Sequence, residues 1–449
     1  MKFDVFFLAK CLRTVSMIGI FSVVAGRSFS QNIELKIGPN ALVAREPKGS
    51  MFIEPHLAAD PKDPNRLLAA SFLMDTGFNS KNMLAVFSSA DGGKSWKRQN
   101  LPCIDCTDPW VSITNKGIVF ISALGDHPKL PKMISQLMVY TSMDGGANWN
   151  EIPQGLGEYH DRSRSLAAPD GTLYIISGQS VLDGDKKSRN TVYLGKAEPG
   201  KTFVRAMSNI FPSNMGLNSD GLASLSDGSL LLTYDDGVRR MNGSFRSAGL
   251  LKGRRSWALV SKDRGQSFSM PLFLTEDCWR TPAFLAVDSS SGPYKDRLYY
   301  VCAGQNEREI ILSYSADKGE EWSKALIEAP SAKDRSRLTP QVAVNKNGVV
   351  AVAWMDKRED TTGNSFAPYI AASIDGGKTF SKPVRVADAP SRPKYDQMGP
   401  TGRRWPTGGD YFGLTAVADG SFHLLWPDAR GGSFELWSAA ISVASPSKN

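Results

Sequence analysis

Ser89-Ala90-Asp91-Gly92-Gly93-Lys94-Ser95-Trp96 is one of six copies of a single eight-residue pattern, Ser/Thr-x-Asp-x-Gly-x-x-Trp/Phe. Clean copies begin at Ser142, Ser261, Ser315 and Ser373, and a decayed copy spans residues 196–203. A period of 50-odd residues marks a stacked or radial repeat, whose units bury their faces on one another. Each copy follows a β-rich run such as Met83-Leu84-Ala85-Val86-Phe87-Ser88. The Asp can accept hydrogen bonds from backbone N–H groups a few residues on and so close a tight turn. The Gly supplies a positive φ, and the aromatic residue offers a large face to wedge between neighbouring sheets. These aspartates therefore read as structural.

A second signal lies ahead of each copy, a polar cluster leading into an alternating apolar strand. The clusters begin at Glu54, Asp108, Arg162, Asp220, Arg280, Arg337 and Asp410, with spacings of 54, 54, 58, 60, 57 and 73 residues. A turn and a second apolar strand follow, as at Ile118-Val119-Phe120-Ile121 and Phe422-His423-Leu424-Leu425. Four short strands in each of seven units predict an all-β, seven-bladed β-propeller, with six blades as the alternative if one entry is spurious. The last unit is one strand short. Residues 33–37 are expected to supply that strand, joining the termini in the last blade and protecting its edge.

The repeats fill 449 residues without a linker gap, so residues 31–449 are read as one propeller domain. Residues 1–30 carry Lys2, Lys10 and Arg13 ahead of an apolar stretch at 15–24, the layout of a secretory signal. That stretch is too short for a membrane span, which needs about 20 residues. A secreted or periplasmic location follows. Removing the segment takes away a net +3, so the formal +8 falls to +5 (8 − 3). A mildly basic chain favours anionic ligands. No basic run interleaved with aromatics supports nucleic-acid binding. Cys103, Cys106, Cys278 and Cys302 remain, and export predicts the bridges Cys103–Cys106 and Cys278–Cys302. No metal site or cofactor is expected.

In a propeller the first strand of every blade lines the central channel. The polar clusters therefore converge on one funnel, the default place for a site, while the repeated turns fall on the opposite face. The converging set includes Glu54, His56, Asp108, His160, Asp161, Arg162, Arg164, Asp220, Arg280, Arg337, Asp410 and Tyr411. Asp356-Lys357-Arg358 and Asp428-Ala429-Arg430 recur at matching places and read as blade-to-blade ion pairs. His423 and the tyrosines Tyr234, Tyr299 and Tyr300 alternate with apolar residues and read as strand or core residues.

The eight-residue pattern is similar to the Asp-box, or BNR repeat, and the chain beyond residue 50 resembles the sialidase superfamily. That resemblance implies arginines gripping a substrate carboxylate, for which a planar, permanently charged guanidinium is suited. It also implies a tyrosine nucleophile activated by a carboxylate, with an Asp as acid/base. By blade context Arg280, in Trp279-Arg280-Thr281-Pro282, and Arg337 match two arginine positions, and Tyr411 matches the nucleophile. Asp108 is then the acid/base, and Asp220 or Glu158 activates the tyrosine. The family's first arginine sits in a Phe/Tyr-Arg-Ile-Pro motif that is absent here, where Glu54-Pro55-His56 stands instead. Arg162 or Arg164 would substitute from blade three, and His56 and Asp410 complete the binding set. The resulting expectation is an exported sialidase-like glycoside hydrolase acting on an acidic glycan. The alternatives are a propeller that binds carbohydrate or another exported protein without catalysis, and a polysaccharide lyase using Tyr411, His56, His160 and the arginines.

Overall fold

The computed structural model describes residues 31–444 apart from 32, 48, 76–81, 183–187, 200, 214, 242–243, 246–253, 280–281, 305–306, 329–336, 361–363 and 399–403. The signal segment 1–30 lies outside the described residues. Among the described residues every regular element is a strand, and the strands form seven antiparallel sheets. Blade one is Ser50–Ala59, Leu67–Asp75, Met83–Ser89 and Lys97–Leu101, and each later blade repeats this up-and-down order. The chain is thus a seven-bladed propeller, and the six-blade alternative is excluded. Among the described residues no helix is long and apolar enough to cross a membrane.

The ring closes as the sequence predicts. Glu34–Ile37 pairs with the last strand, Glu435–Ala444, with Glu34 opposite Ala444 and Ile37 opposite Ile441. A second N-terminal strand that the sequence reading missed, Ala41–Ala44, pairs with the same last strand, Ala41 opposite Ser438. Both lie on an edge that would otherwise expose unpaired backbone groups.

The repeated turns work as their composition dictates. In the first, Ser89 Oγ donates to Asp91 Oδ1 (2.8 Å) and accepts from the Gly93 amide (2.9 Å). Asp91 Oδ1 also accepts from the amides of Lys94 and Ser95 at 3.0 and 2.9 Å. A Cβ on Gly93, where φ is +84°, would fall 2.3 Å from Cε1 of His423 in the preceding blade. Gly146 meets Leu68 of blade one in the same way, at 2.7 Å. The glycine is therefore required twice, by its backbone angle and by the docking of each blade on the one before it. His423 is part of this joint, 2 % exposed beneath Gly93.

Three details differ from expectation. Only Phe203 and Phe380 among the closing aromatics are buried, while Trp96, Trp149, Phe268 and Trp322 stay half-buried. These turns face solvent, so one side of each ring is left uncovered. The recurrent Asp–Arg pairs close within one turn, and Arg430 in addition reaches Asp388, beyond the outer strand of blade six, at 2.6 Å. Asp356 accepts from the Trp354 indole (2.8 Å) and pairs with Arg358 (2.6 Å); Asp428, Trp426 and Arg430 repeat the arrangement. Both predicted disulfides form, with Cα–Cα distances of 5.9 and 5.5 Å. Cys278, expected from the sequence just ahead of the first strand of blade five, instead ends the outer strand of blade four (Leu272–Cys278), so its bond to Cys302 ties blade four to blade five.

The feature that builds the channel is a recurrent irregularity in the inner strands. Strand pairing slips between Ile53 and His56, between Thr107 and Trp110, between Asp161 and Arg164, and between Leu338 and Gln341. Each slip holds one left-handed residue: Glu54 (φ 52°), Asp108 (50°), Arg162 (51°) and Thr339 (48°). A β-bulge of this kind re-aims one side chain out of the strand's alternation. Such angles are strained for residues with a Cβ and tend to gather where a site is built.

Candidate functional site

Three of these bulge residues, Glu54, Asp108 and Arg162, come from blades one, two and three. Asp410, just ahead of the inner strand of blade seven, joins them. The buried carboxyl groups of Glu54 and Asp108 stand close enough for their protonation to be coupled. Arg162 donates from Nη2 to Asp410 Oδ2 at 3.1 Å, and the Asp410 amide donates to Glu54 Oε1 at 3.2 Å. The other terminal nitrogen of Arg162 is buried without a partner among the described residues.

The electrostatics follow from burial and crowding. Glu54 is 3 % exposed, and burial, with the charges of Asp108 and Asp410 beside it, raises its pKa well above the usual carboxylate range. Burial and the charge of Asp161 push Asp108 up to about 6. Two such carboxyls titrate as a pair, and the pair keeps a proton into the neutral range. Burial opposes the charge on Arg162, but Asp410, Asp161, Asp235 and Asp108 outweigh it and raise its pKa.

The cluster forms part of the wall of a cavity of 430 Å³. Thr107, Ser135, Tyr159, Asp161, Gln179 and Asn218 add polar groups, and Leu124, Ile134 and Trp405 add apolar ones. This volume falls within the range of small-molecule sites, about 300–1,000 Å³. Among the described residues no group of three or more His, Cys, Asp or Glu side chains is arranged to hold a metal ion.

On the same inner strands, close to this cluster, side chains from several blades form a stack. The His56 ring lies 3.6 Å from the Trp110 ring, and the Arg164 guanidinium lies 4.5 Å from Trp110 on its other side and 4.2 Å from Phe284. Trp110 and Phe284 are parallel within 7°, so the guanidinium is sandwiched by two π-faces, a strong cation–π arrangement. Burial lowers the Arg164 pKa to about 10, against the pull of Asp220. His56 Nδ1 accepts from the Val111 amide at 3.1 Å, and burial, with Arg164 nearby, keeps the ring neutral.

The remaining candidates fall in several places. Tyr411 is 6 % exposed, its hydroxyl donates to the Pro109 carbonyl at 2.9 Å, and it is not among the residues lining the cavity. Burial, then the charge of Glu54, raises its pKa well above the usual value. Asp220 is buried and accepts from Tyr300 at 2.8 Å. His160 lines the cavity but is held on both nitrogens: Gln179 Nε2 donates to its Nε2 (3.1 Å), so Nδ1–H donates to Ser177 (2.6 Å). Arg280 lies outside the described residues. Arg337 opens the inner strand of blade six opposite Asp356, and its side chain lies outside the described set. The structure thus gathers Asp108, Arg162 and Asp410 at the cavity and stacks His56 with Arg164 in the channel. The sequence reading gave no separate role to Glu54 and Asp161. The available signal was the Xaa-Pro step after a polar residue, in Glu54-Pro55, Asp108-Pro109 and Thr339-Pro340, which marks three of the four left-handed bulges.

No protein-family model and no curated protein matches this sequence. Solved propellers resemble it at low identity. A Dyadobacter fermentans protein of unknown function is 11% identical over 91% of this chain and 99% of its own, with a TM-score of 0.49. An alpha-L-arabinofuranosidase of Fusarium graminearum is 14% identical over 75% and 98%, with a TM-score of 0.47. A Hadza microbial sialidase is 11% identical over 93% and 97%, with a TM-score of 0.45. Likeness at this level carries no information on the reaction or substrate of this chain.

Proposed function

We propose that the cavity binds a glycan and cleaves a glycosidic bond, with the Glu54–Asp108 pair as the proton donor. One observation supports this reading: two buried carboxyls from adjacent blades, both held above the ordinary carboxylate pKa, stand together in the wall of a 430 Å³ cavity with a polar lining. A buried carboxyl that stays protonated near neutrality can protonate a leaving glycosidic oxygen. Asp161, whose charge raises the Asp108 pKa, lines the same cavity and can take the proton of the attacking water. The water oxygen bonds to the anomeric carbon as the glycosidic carbon–oxygen bond breaks, a proton from the Glu54–Asp108 pair goes to the departing sugar oxygen, and the water proton goes to Asp161. Arg162, oriented by Asp410, can donate its unpartnered nitrogen to a sugar hydroxyl.

The lining carries four carboxyls, Glu54, Asp108, Asp161 and Asp410, against the guanidiniums of Arg162 and Arg404. That field suits an uncharged sugar better than the acidic glycan expected from the family resemblance. The test is a panel of p-nitrophenyl glycosides, neutral ones together with a sialoside. A neutral glycoside should be turned over, with activity falling as pH rises past about 6, and Asp108→Asn should lower kcat by about 10²–10⁴. Turnover of the sialoside alone, or full activity in Asp108→Asn, would sink the reading.

The neutralisation of Arg162 by Asp410 favours a second reading, a propeller that binds sugar without cleaving it. Its signature is measurable sugar affinity with no turnover across the whole panel.

A further inference from the structure

A smaller cavity of 160 Å³ lies beside the first, lined by Asp105, Thr107, Leu124, Gly125, Asp126 and other residues of blade two. Thr107, Leu124 and Ser135 line both cavities, so they are neighbours sharing one wall. Strand pairing sets the direction from one to the other. Thr107 pairs with Leu124 and Ile104 with Asp126, so the smaller cavity extends toward the start of the inner strand. The three steps from Thr107 to Ile104 span about 10 Å of strand at roughly 3.3 Å per residue. At 160 Å³ the space falls short of a separate ligand site, about 300–1,000 Å³, and suits an annex of the larger one.

The annex is equipped with hydrogen-bond acceptors. Asp126 Oδ1 is buried and has no hydrogen-bond partner among the described residues. Asp105 stands on the same wall in a left-handed conformation (φ 54°) within the Cys103–Cys106 loop. Carboxylates accept from hydroxyls and repel anions, so the chemistry selects polyols. Ile134, 61 % exposed, lines the main cavity between Met133 and Ser135, which line the annex. It offers an apolar edge of the kind the C–H face of a sugar ring covers.

We propose that the two cavities form one groove for an uncharged oligosaccharide, with one sugar unit at the Glu54–Asp108 pair and a further unit over the Cys103–Cys106 loop. This rests on the glycan reading above. The disulfide shapes the annex. A Cβ on Gly125 would come 2.8 Å from the Ile104 carbonyl and 3.0 Å from Cys106 Sγ, so the bridged loop lies directly on the backbone of the neighbouring strand. A bridge that closes a loop of so few residues constrains the unfolded chain little, and its effect is on local shape.

Isothermal titration with cello-, xylo-, manno- and arabino-oligosaccharides of increasing length tests the proposal. In at least one series a disaccharide or trisaccharide should bind about tenfold more tightly than its monosaccharide, the worth of a hydrogen bond to a charged group. In Asp105→Asn/Asp126→Asn that gain should disappear, and in Cys103→Ser/Cys106→Ser it should shrink. Thermal unfolding confirms that each variant is folded, and the asparagine variant suffices if the serine one is not. Monosaccharide binding with no gain on lengthening, or a gain that survives the asparagine substitutions, overturns the extended groove alone. Failure of every probe to bind overturns the glycan reading as well.

Discussion

Glu54 and Asp108, left-handed residues at the same bulge position of adjacent blades, bring two buried carboxyls together in one cavity wall. The pair couples the chemistry of the cavity to the stability of the ring, because both pKa values are raised by folding.

The sign of the pH effect follows. An acid whose pKa is higher in the folded than in the unfolded state stabilises the fold below its unfolded value, about 4. That contribution is lost as pH rises through the folded value, about 6 for Asp108. Thermal stability should therefore fall between pH 5 and 8 by more in the wild type than in Glu54→Gln. A Glu54→Gln protein with the same pH slope as the wild type would contradict the coupled, raised carboxyls.

The repeated turns act in the opposite direction. Asp91, Asp144 and Asp263 are held down to about 2 by hydrogen bonds from the residue four positions on and from the preceding serine. Their contribution is complete above the unfolded value of about 4 and is lost as pH falls through about 2. Asp91→Ala should lower the melting temperature at pH 7, and the difference should narrow between pH 4 and 2. A constant difference over that range would mean that the carboxylate charge plays no part.

Blade docking predicts a contrast between neighbouring glycines. Gly93→Ala meets the ring of His423 at 2.3 Å, whereas Gly92→Ala, with φ +71°, meets nothing closer than 3.8 Å. Gly92→Ala should cost about 1–2 kcal/mol for its left-handed backbone alone. Gly93→Ala should cost about 1–3 kcal/mol more through overpacking, as read by denaturant unfolding. Equal costs would remove the docking argument.

Tyr411→Phe should lower stability by about 1–3 kcal/mol, because it strands the buried Pro109 carbonyl that the hydroxyl now satisfies. Turnover of a neutral glycoside should persist in this variant. Loss of turnover with unchanged stability would instead restore the tyrosine as nucleophile.

Replacing Cys278 and Cys302 together with serine should cost roughly 3 kcal/mol, the chain-entropy scale for a bridge across 24 residues. Because the bond joins blades four and five, hydrogen exchange should rise first in the outer strand Leu272–Cys278. Uniform exchange changes around the ring would argue against a local joint.

The repeated octapeptide by itself determined the architecture. Serine, aspartate, glycine and an aromatic at fixed spacing make a turn whose hydrogen bonds are local, and local chemistry is legible along a chain. The strand entries gave the blade count, and the short last unit gave the ring closure through Glu34–Ile37. The sequence also placed Asp108, Arg162 and Asp410 at one mouth, because propeller topology carries every inner strand to the channel. What each residue meets there was decided only by the tertiary structure. Left-handed bulges turn Glu54, Asp108 and Arg162 out of strand alternation, and no periodicity announces them beyond an occasional following proline. Whether the Tyr411 hydroxyl is free or held by the Pro109 carbonyl, and whether Arg164 grips a ligand or lies between Trp110 and Phe284, depends on side chains far apart in the chain. Burial and neighbouring charge set pKa values, and both arise only when the ring closes.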